Sequence, residues 1–240
     1  MPTSPPSSHE DELAAVRARY KRRSGDERRY SLLDSASLYA FQERQRALAA
    51  LFIRLGWHDL SPLRVLEVGS GSGANLLEFL RLGFRPEHLQ GIELLPESAE
   101  HARRLLPESV RIHVGDAVGM RAAIDDGSQN IVYQATVFSS LLDEAFQRRL
   151  ADAMWRWACP GGGILWYDFT VNNPWNQDVH GVPVARIRQL FPEGKVWVRR
   201  LTLAPPIARA VVRVHPALYT VFNAPVALRT HVLAWVEKLK

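Results

Sequence analysis

The sequence predicts an α/β fold, a mostly parallel sheet with helices on both faces and an antiparallel edge. Three observations predict it. Short β-rich runs alternate with helix-like segments from residue 63 to residue 168. The first of those runs ends in a glycine-rich turn, Gly69-Ser70-Gly71-Ser72-Gly73. Two late runs, 196–203 and 231–236, follow without a regular helical crossover, as an antiparallel addition at a sheet edge would.

The elements follow in order. Residues 1–25 are expected to be a loosely ordered leader. Met1–Ser8 has neither the basic start nor the apolar stretch of a signal peptide, and Ala14, Val16 and Tyr20 make only a sparse apolar stripe. Residues 26–60 should form a helical cap, because Leu38, Phe41, Leu48, Leu51, Phe52 and Leu55 recur near i+3/i+4 spacing and Gly56 offers a stop. Residues 61–170 should form the cofactor-binding half. Within it, 63–68, 89–94, 110–114, 130–134 and 163–168 read as strands. Between them lie the helix patterns Ala74–Leu82, Pro96–Leu106 and Asp143–Trp157, the second opened by a proline and the third stopped by Pro160-Gly161-Gly162-Gly163. Residues 171–240 should add an acceptor-side loop, a short helix Pro183–Leu190, a proline-broken stretch 204–224 and the two late strands.

Composition bounds the function. The 240 residues suit one domain, and 47% hydrophobic content supports a sizeable core. No apolar run approaches the roughly 20 residues that span a bilayer. The single cysteine, Cys159, excludes an intramolecular disulfide and a multi-cysteine metal site, and fits a reducing, cytoplasmic setting. Net charge is +5. All basic residues but Lys21, Lys195, Lys238 and Lys240 are arginine, the side chain suited to phosphate and carboxylate. The arginines are spread along the chain, and no nucleic-acid-binding motif is recognisable.

The glycine turn sits between the first strand and its helix. Glycine lets the backbone turn sharply and approach a ligand, and the helix N-terminus behind it offers free N–H groups. Gly69-x-Gly71-x-x-Ala74 also satisfies a loose dinucleotide fingerprint, so an NAD-dependent oxidoreductase competes. Three features favour a cationic donor, S-adenosylmethionine. Glu67 precedes the first glycine by two residues and would face a cation, but would repel a pyrophosphate. Glu93 ends the second strand, where acids bind ribose hydroxyls, a feature shared with NAD sites. Gly115-Asp116-Ala117 follows the third strand, where an acid can accept from an adenine amino group.

The motifs Leu66–Gly73, Gly91-Ile92-Glu93-Leu94, Val114-Gly115-Asp116-Ala117 and Pro160–Gly163 together resemble those of the class I S-adenosylmethionine-dependent methyltransferases, across about residues 60–240. The resemblance implies a Rossmann-like seven-stranded sheet whose last strand is antiparallel. It implies binding roles for Glu67, Gly69, Gly71, Glu93 and Asp116, and extends the expected cofactor contacts to Ser70, Gly73, Leu94, Ala117, Gln134 and Phe138. Asn130 departs from the family, many members of which carry an acid there. A narrower resemblance rests on Gln134–Asp143, Trp166–Pro174 and Leu201–Pro206, which look like methyltransferases of bacterial polysaccharide biosynthesis. It implies a sugar hydroxyl as acceptor, on a glycan or other small molecule that is lipid- or nucleotide-linked. Nucleic acid (RNA) is the alternative acceptor.

Methyl transfer from a sulfonium is an in-line displacement, and a sugar hydroxyl benefits from a general base. Asp168, at the end of the fifth strand, and His180, in the Asn-rich loop Asn172–Gly181, are the expected catalytic residues. Asp143 reads more simply as a helix cap. Asp143, Asp168 and Asn173 could offer oxygens to Mg²⁺, but the Asp–Asn pair of metal-dependent O-methyltransferases is split here, so no metal is predicted. The remaining histidines read as structural or surface groups. Tyr30 and Gln42-Glu43-Arg44 could lid the site. Residues 204–224, carrying Arg209, Arg213 and His215 among apolar residues, could touch a membrane surface.

Overall fold

The computed structural model describes residues 9–23, 31–120, 123–172 and 178–240. Seven strands form one sheet in the order β3-β2-β1-β4-β5-β7-β6. They are β1 (Val65–Val68), β2 (Leu89–Glu93), β3 (Arg111–Val114), β4 (Gln129–Ala135), β5 (Ala158–Phe169), β6 (Lys195–Leu203) and β7 (Arg229–Glu237). β1 pairs parallel with β2 and β4, β2 with β3, and β4 with β5. β7 runs antiparallel between β5 and β6. The expected fold class is therefore the observed one, and β6 points the same way as β1–β5.

Helices cover both faces, as a parallel sheet requires. On one face lie α2 (Ser35–Arg54), α3 (Ala74–Leu82) and α4 (Pro96–Leu105), which bury Val65, Ile131, Tyr133 and Leu165. On the other, α5 (Glu144–Trp157) and α6 (Val184–Leu190) bury Leu66, Val132, Ile164 and Trp166. This division follows the two-residue period of strands. Asp34 caps α2 by accepting from Ser37 N at 2.9 Å, and Asp143 caps α5 by accepting from Ala145 N and Phe146 N at 2.6 and 2.9 Å. Between β6 and β7 stand α7 (Pro205–Val214) and α8 (Leu218–Asn223). Among the described residues no helix is long and apolar enough to cross a membrane.

Two expectations change. Pro160–Gly163 was expected to precede the fifth strand, but β5 already begins at Ala158 and contains it. A Cβ on Gly162 would lie 2.5 Å from Asn130 O, and one on Gly163 would strike Val236 O. Glycine is there for close strand approach, not as a helix stop. The leader also differs. Residues 9–23 form α1 (His9–Arg23), whose Leu13, Val16 and Tyr20 meet an apolar cleft on the body of the fold. A stripe too narrow to hold a free helix suffices when that cleft covers it. Residues 1–8, 24–30 and 173–177, with Tyr30, Asn173, Pro174 and Trp175, lie outside the described residues.

Candidate active site

The glycine turn leaves β1 with positive φ at Gly69, Gly71 and Gly73, at 69°, 53° and 86°. Gly69 N and Ser70 N donate to Ile92 O, at 2.8 and 3.1 Å, tying the turn to β2. α3 starts without a side-chain cap, so its first N–H groups remain available to a ligand. Ser70 is buried with its hydroxyl turned inward over Gly91, and its N–H and carbonyl are already engaged by Ile92 and Gly73.

Glu67 lies under this turn, fully buried. Its Oε1 accepts from Asn75 Nδ2 at 2.6 Å, and Asn75 Oδ1 in turn accepts from Arg44 Nη2 at 2.9 Å. Arg44 also reaches Glu78 Oε2 at 3.2 Å. Glu67 Oε2 has no partner among the described residues, and neither do the nearby Tyr133 Oη and Arg44 Nε. An unpartnered buried polar atom costs about 1–3 kcal/mol, so these atoms mark a place built for polar company. Burial pushes the Glu67 carboxyl up to about 8, against the pull of Asn75 and Arg44. A cation seated beside it would reverse that.

Glu93 ends β2 as predicted, and both of its oxygens are engaged. Oε2 accepts from Gly71 N at 2.7 Å and Oε1 from Leu95 N at 2.9 Å. Burial raises its pKa, while those N–H groups hold it down. Asp116 follows β3. It accepts from Val118 N at 3.0 Å and Gly119 N at 2.8 Å, and its Oδ2 lies 2.6 Å from His9 Nε2. His9 also stacks on Phe146, 5.0 Å between centroids. The histidine read as a surface group thus occupies the acid expected for adenine.

Leu94, Asp116, Ala117 and Gly69 line a cleft that α1 roofs with Leu13, Val16 and Tyr20. The roof is locked by the buried Glu12, whose Oε1 accepts from Arg19 Nη2 and Leu142 N at 2.9 and 3.0 Å. Arg19 Nη1 donates to Ser140 O at 3.0 Å. About 70 Å³ remains beneath α1, against the roughly 300 Å³ or more of a small-ligand site. A nucleoside-sized ligand requires α1 to move.

Beyond β4 the backbone is strained at Thr136, φ 57°. Gln134 is buried, with its Oε1 accepting from Val137 N at 3.0 Å. Phe138 is fully buried against Trp166, 4.5 Å between centroids. It is core, not a face for adenine or sugar. Asp168 is also fully buried and braces this loop, accepting from Ser139 N at 3.2 Å and Phe169 N at 2.9 Å. Burial lifts its carboxyl to about 7, against those bonds. Among the described residues Asp168 lines neither the roofed cleft nor the groove beside it, so its observed work is to hold the loop after β4. His180 is exposed, and its backbone N donates to Ser139 O at 2.9 Å. Its side chain lines a polar groove with Gln147 and Arg186, which shares Leu141 with the roofed cleft.

A second polar cluster escaped sequence reading. Arg44 lies over the Tyr167 ring at 5.2 Å, Tyr167 Oη meets Thr202 Oγ1 at 2.9 Å, and the His231 ring stacks on Tyr167 at 5.2 Å. Burial, aided by Arg44, holds His231 neutral with a pKa near about 4. Glu43 Oε2 accepts from Thr202 N and Tyr219 Oη at 3.0 and 3.1 Å. The local signal was the polar run Gln42–Arg46 in α2, with Glu43 on its buried face.

Residues 65–162 match a family model described as a methyltransferase domain. The fold is similar to an S-adenosylmethionine-dependent methyltransferase of Thermotoga maritima, with TM-score 0.62 and 16% identity over 92% of this chain and 99% of that one. It is similar to geranyl diphosphate C-methyltransferase from Streptomyces coelicolor A3(2), solved with Mg²⁺, geranyl diphosphate and S-adenosyl-L-homocysteine, at TM-score 0.61 and 14% identity over 87% and 85%. A chain of the complex between the Haloferax volcanii Trm112 methyltransferase activator and a methyltransferase gives TM-score 0.61 and 18% identity over 92% and 98%. Among curated proteins none matches this sequence significantly.

Proposed function

We infer that the chain is an S-adenosylmethionine-dependent methyltransferase, and we propose that it methylates a hydroxyl of a sugar, glycan or other small acceptor. The donor reading is carried by Glu67, a buried carboxyl under a glycine turn with one oxygen unpartnered. That oxygen suits the donor's cationic amino-acid end. The Gly69–Gly73 backbone would hold the same end, Glu93 the ribose, and Asp116 with Ala117 the adenine, once Asp116 exchanges His9 for it. Glu93 would likewise release Gly71 N or share an oxygen with it.

When bound, the donor supplies an electrophilic methyl group on a sulfonium. The chain's own residues do the rest. Leu13, Val16 and Tyr20 exclude water by closing over the cleft. Asp168 is a positioning residue that fixes the loop after β4 through Ser139. His180, exposed in the neighbouring groove, takes the proton of the acceptor hydroxyl. The acceptor class rests on the resemblance of the segments 134–143, 166–174 and 201–206, and no metal is invoked.

The test is calorimetric titration with S-adenosylmethionine and, separately, NADH. Saturable donor binding without NADH binding is expected. Absence of donor binding at millimolar concentration would remove the reading, and NADH binding alone would replace it with the oxidoreductase. Turnover of a hydroxylated glycan by the His180→Gln variant should fall at least about tenfold.

A further inference from the structure

The hairpin α7–α8 carries a surface that the fold does not use. α7 lays Ala208 and Val211 into a small core with Ala36 of α2, and Glu43 anchors α8 through Tyr219 and Asn223. The hairpin is thus held rigidly from behind. In front, Val214 is 79% exposed, Val221 63%, Phe222 41% and Val226 52%. Elsewhere such side chains are scattered; here four fall on one short hairpin and its following turn.

Charge is uneven along the sequence as well. Between Glu193 and Glu237 the chain has no acidic residue, yet it carries Lys195, Arg199, Arg200, Arg209, Arg213 and Arg229. Arg199, on the sheet face where Leu203 meets α7, and Arg213 at the end of α7 are exposed, and neither has a carboxylate partner among the described residues. Because β6 runs with β1–β5, the hairpin that follows it stands at the carboxyl edge of the sheet, the edge that carries the glycine turn.

We propose that the α7–α8 hairpin docks on an anionic lipid bilayer. Exposed valines and Phe222 would enter the boundary between headgroups and acyl chains, while the flanking guanidiniums meet lipid phosphates. Two other occupants fit less well. Nucleic acid would use the arginines but leave the apolar residues in water. A second copy would set the same cations against one another. The proposal is independent of the reaction, though it would place the mouth of the site at the membrane surface.

Full-length protein is sedimented with vesicles of phosphatidylcholine alone and of phosphatidylcholine mixed with phosphatidylglycerol. Binding to the mixed vesicles should be at least about tenfold stronger and should weaken with salt. The double variants V221S/F222S and R199S/R213S should each bind at least about tenfold more weakly, with circular dichroism reporting an unchanged fold. Absence of wild-type binding to mixed vesicles would overturn the proposal whether or not the variants fold. Equal binding to both vesicle types would also overturn it, as would variants that bind like the wild type. Loss of a dimer in V221S/F222S without vesicle binding would assign the surface to a second copy instead.

Discussion

Glu67 is the residue on which the proposed donor site turns, and its chemistry makes a signed prediction. Free, it titrates at about 8 and holds a proton at pH 7. A bound cation favours the carboxylate, so binding should release a proton, and donor affinity should rise as pH climbs from 6 through 8. Glu67→Gln should weaken binding by about 1.5–3 kcal/mol, or about tenfold to a hundredfold. Asp168 makes a different prediction. Asp168→Ala strands the buried N–H of Ser139 and the half-buried N–H of Phe169 and should cost about 1–3 kcal/mol of stability in denaturant melts, with Asp168→Asn milder. The placement of Glu67, Glu93 and Asp116 toward the carboxyl ends of β1, β2 and β3 was legible from the alternation of strands and turns. Ser70 and Phe138 were not, because the loop's path decides which way a side chain points. His9 lay beyond reach for another reason, since its partner Asp116 is 107 residues away.

At the scale of elements, α1 is the part that must move. It closes the cleft through Glu12, Arg19 and His9, yet only Leu13, Val16 and Tyr20 give it an apolar seat. Amide hydrogen exchange should therefore be faster over residues 9–23 than over β1, β4 and β5, and should slow when donor is bound. Equal protection of α1 and the central strands would contradict this. His9→Ala frees Asp116 and should raise the donor association rate, in stopped-flow fluorescence, by up to about tenfold. The strands were legible because each pairs a β-rich run with a turn. α1 was less so, because its stripe gains meaning only from the cleft it covers. The β5 glycines were misread because close strand approach and helix stopping ask for the same residue.

For the molecule as a whole, buried carboxyls shape the response to pH. Glu67 titrates at about 8 and Asp168 at about 7 when folded, both above their ordinary values. The folded state therefore holds protons that the unfolded chain has lost, and stability falls as pH rises through those values. His231 acts oppositely. Its neutral form is favoured down to about 4, so stability is lost as pH falls below its ordinary 6.5. Between about pH 5 and 8 the two carboxyls outweigh His231, so thermal melts should show stability declining over that range and levelling above it, with the decline shallower in Glu67→Gln. The parallel sheet and its antiparallel addition follow from βαβ alternation and a missing crossover, which is why that much of the architecture was legible, while the strand order has no local signature. The polar cluster joining α2, β5, β6 and α8 depends on packing between distant segments and has no local signature. The most direct test of the donor site is titration of wild-type and Glu67→Gln protein with S-adenosylmethionine at pH 6 and pH 8. Wild-type affinity should be higher at pH 8, and the variant should bind weakly with no change between the two. Equal affinities for both proteins at both pH values would contradict a site built on that buried carboxyl.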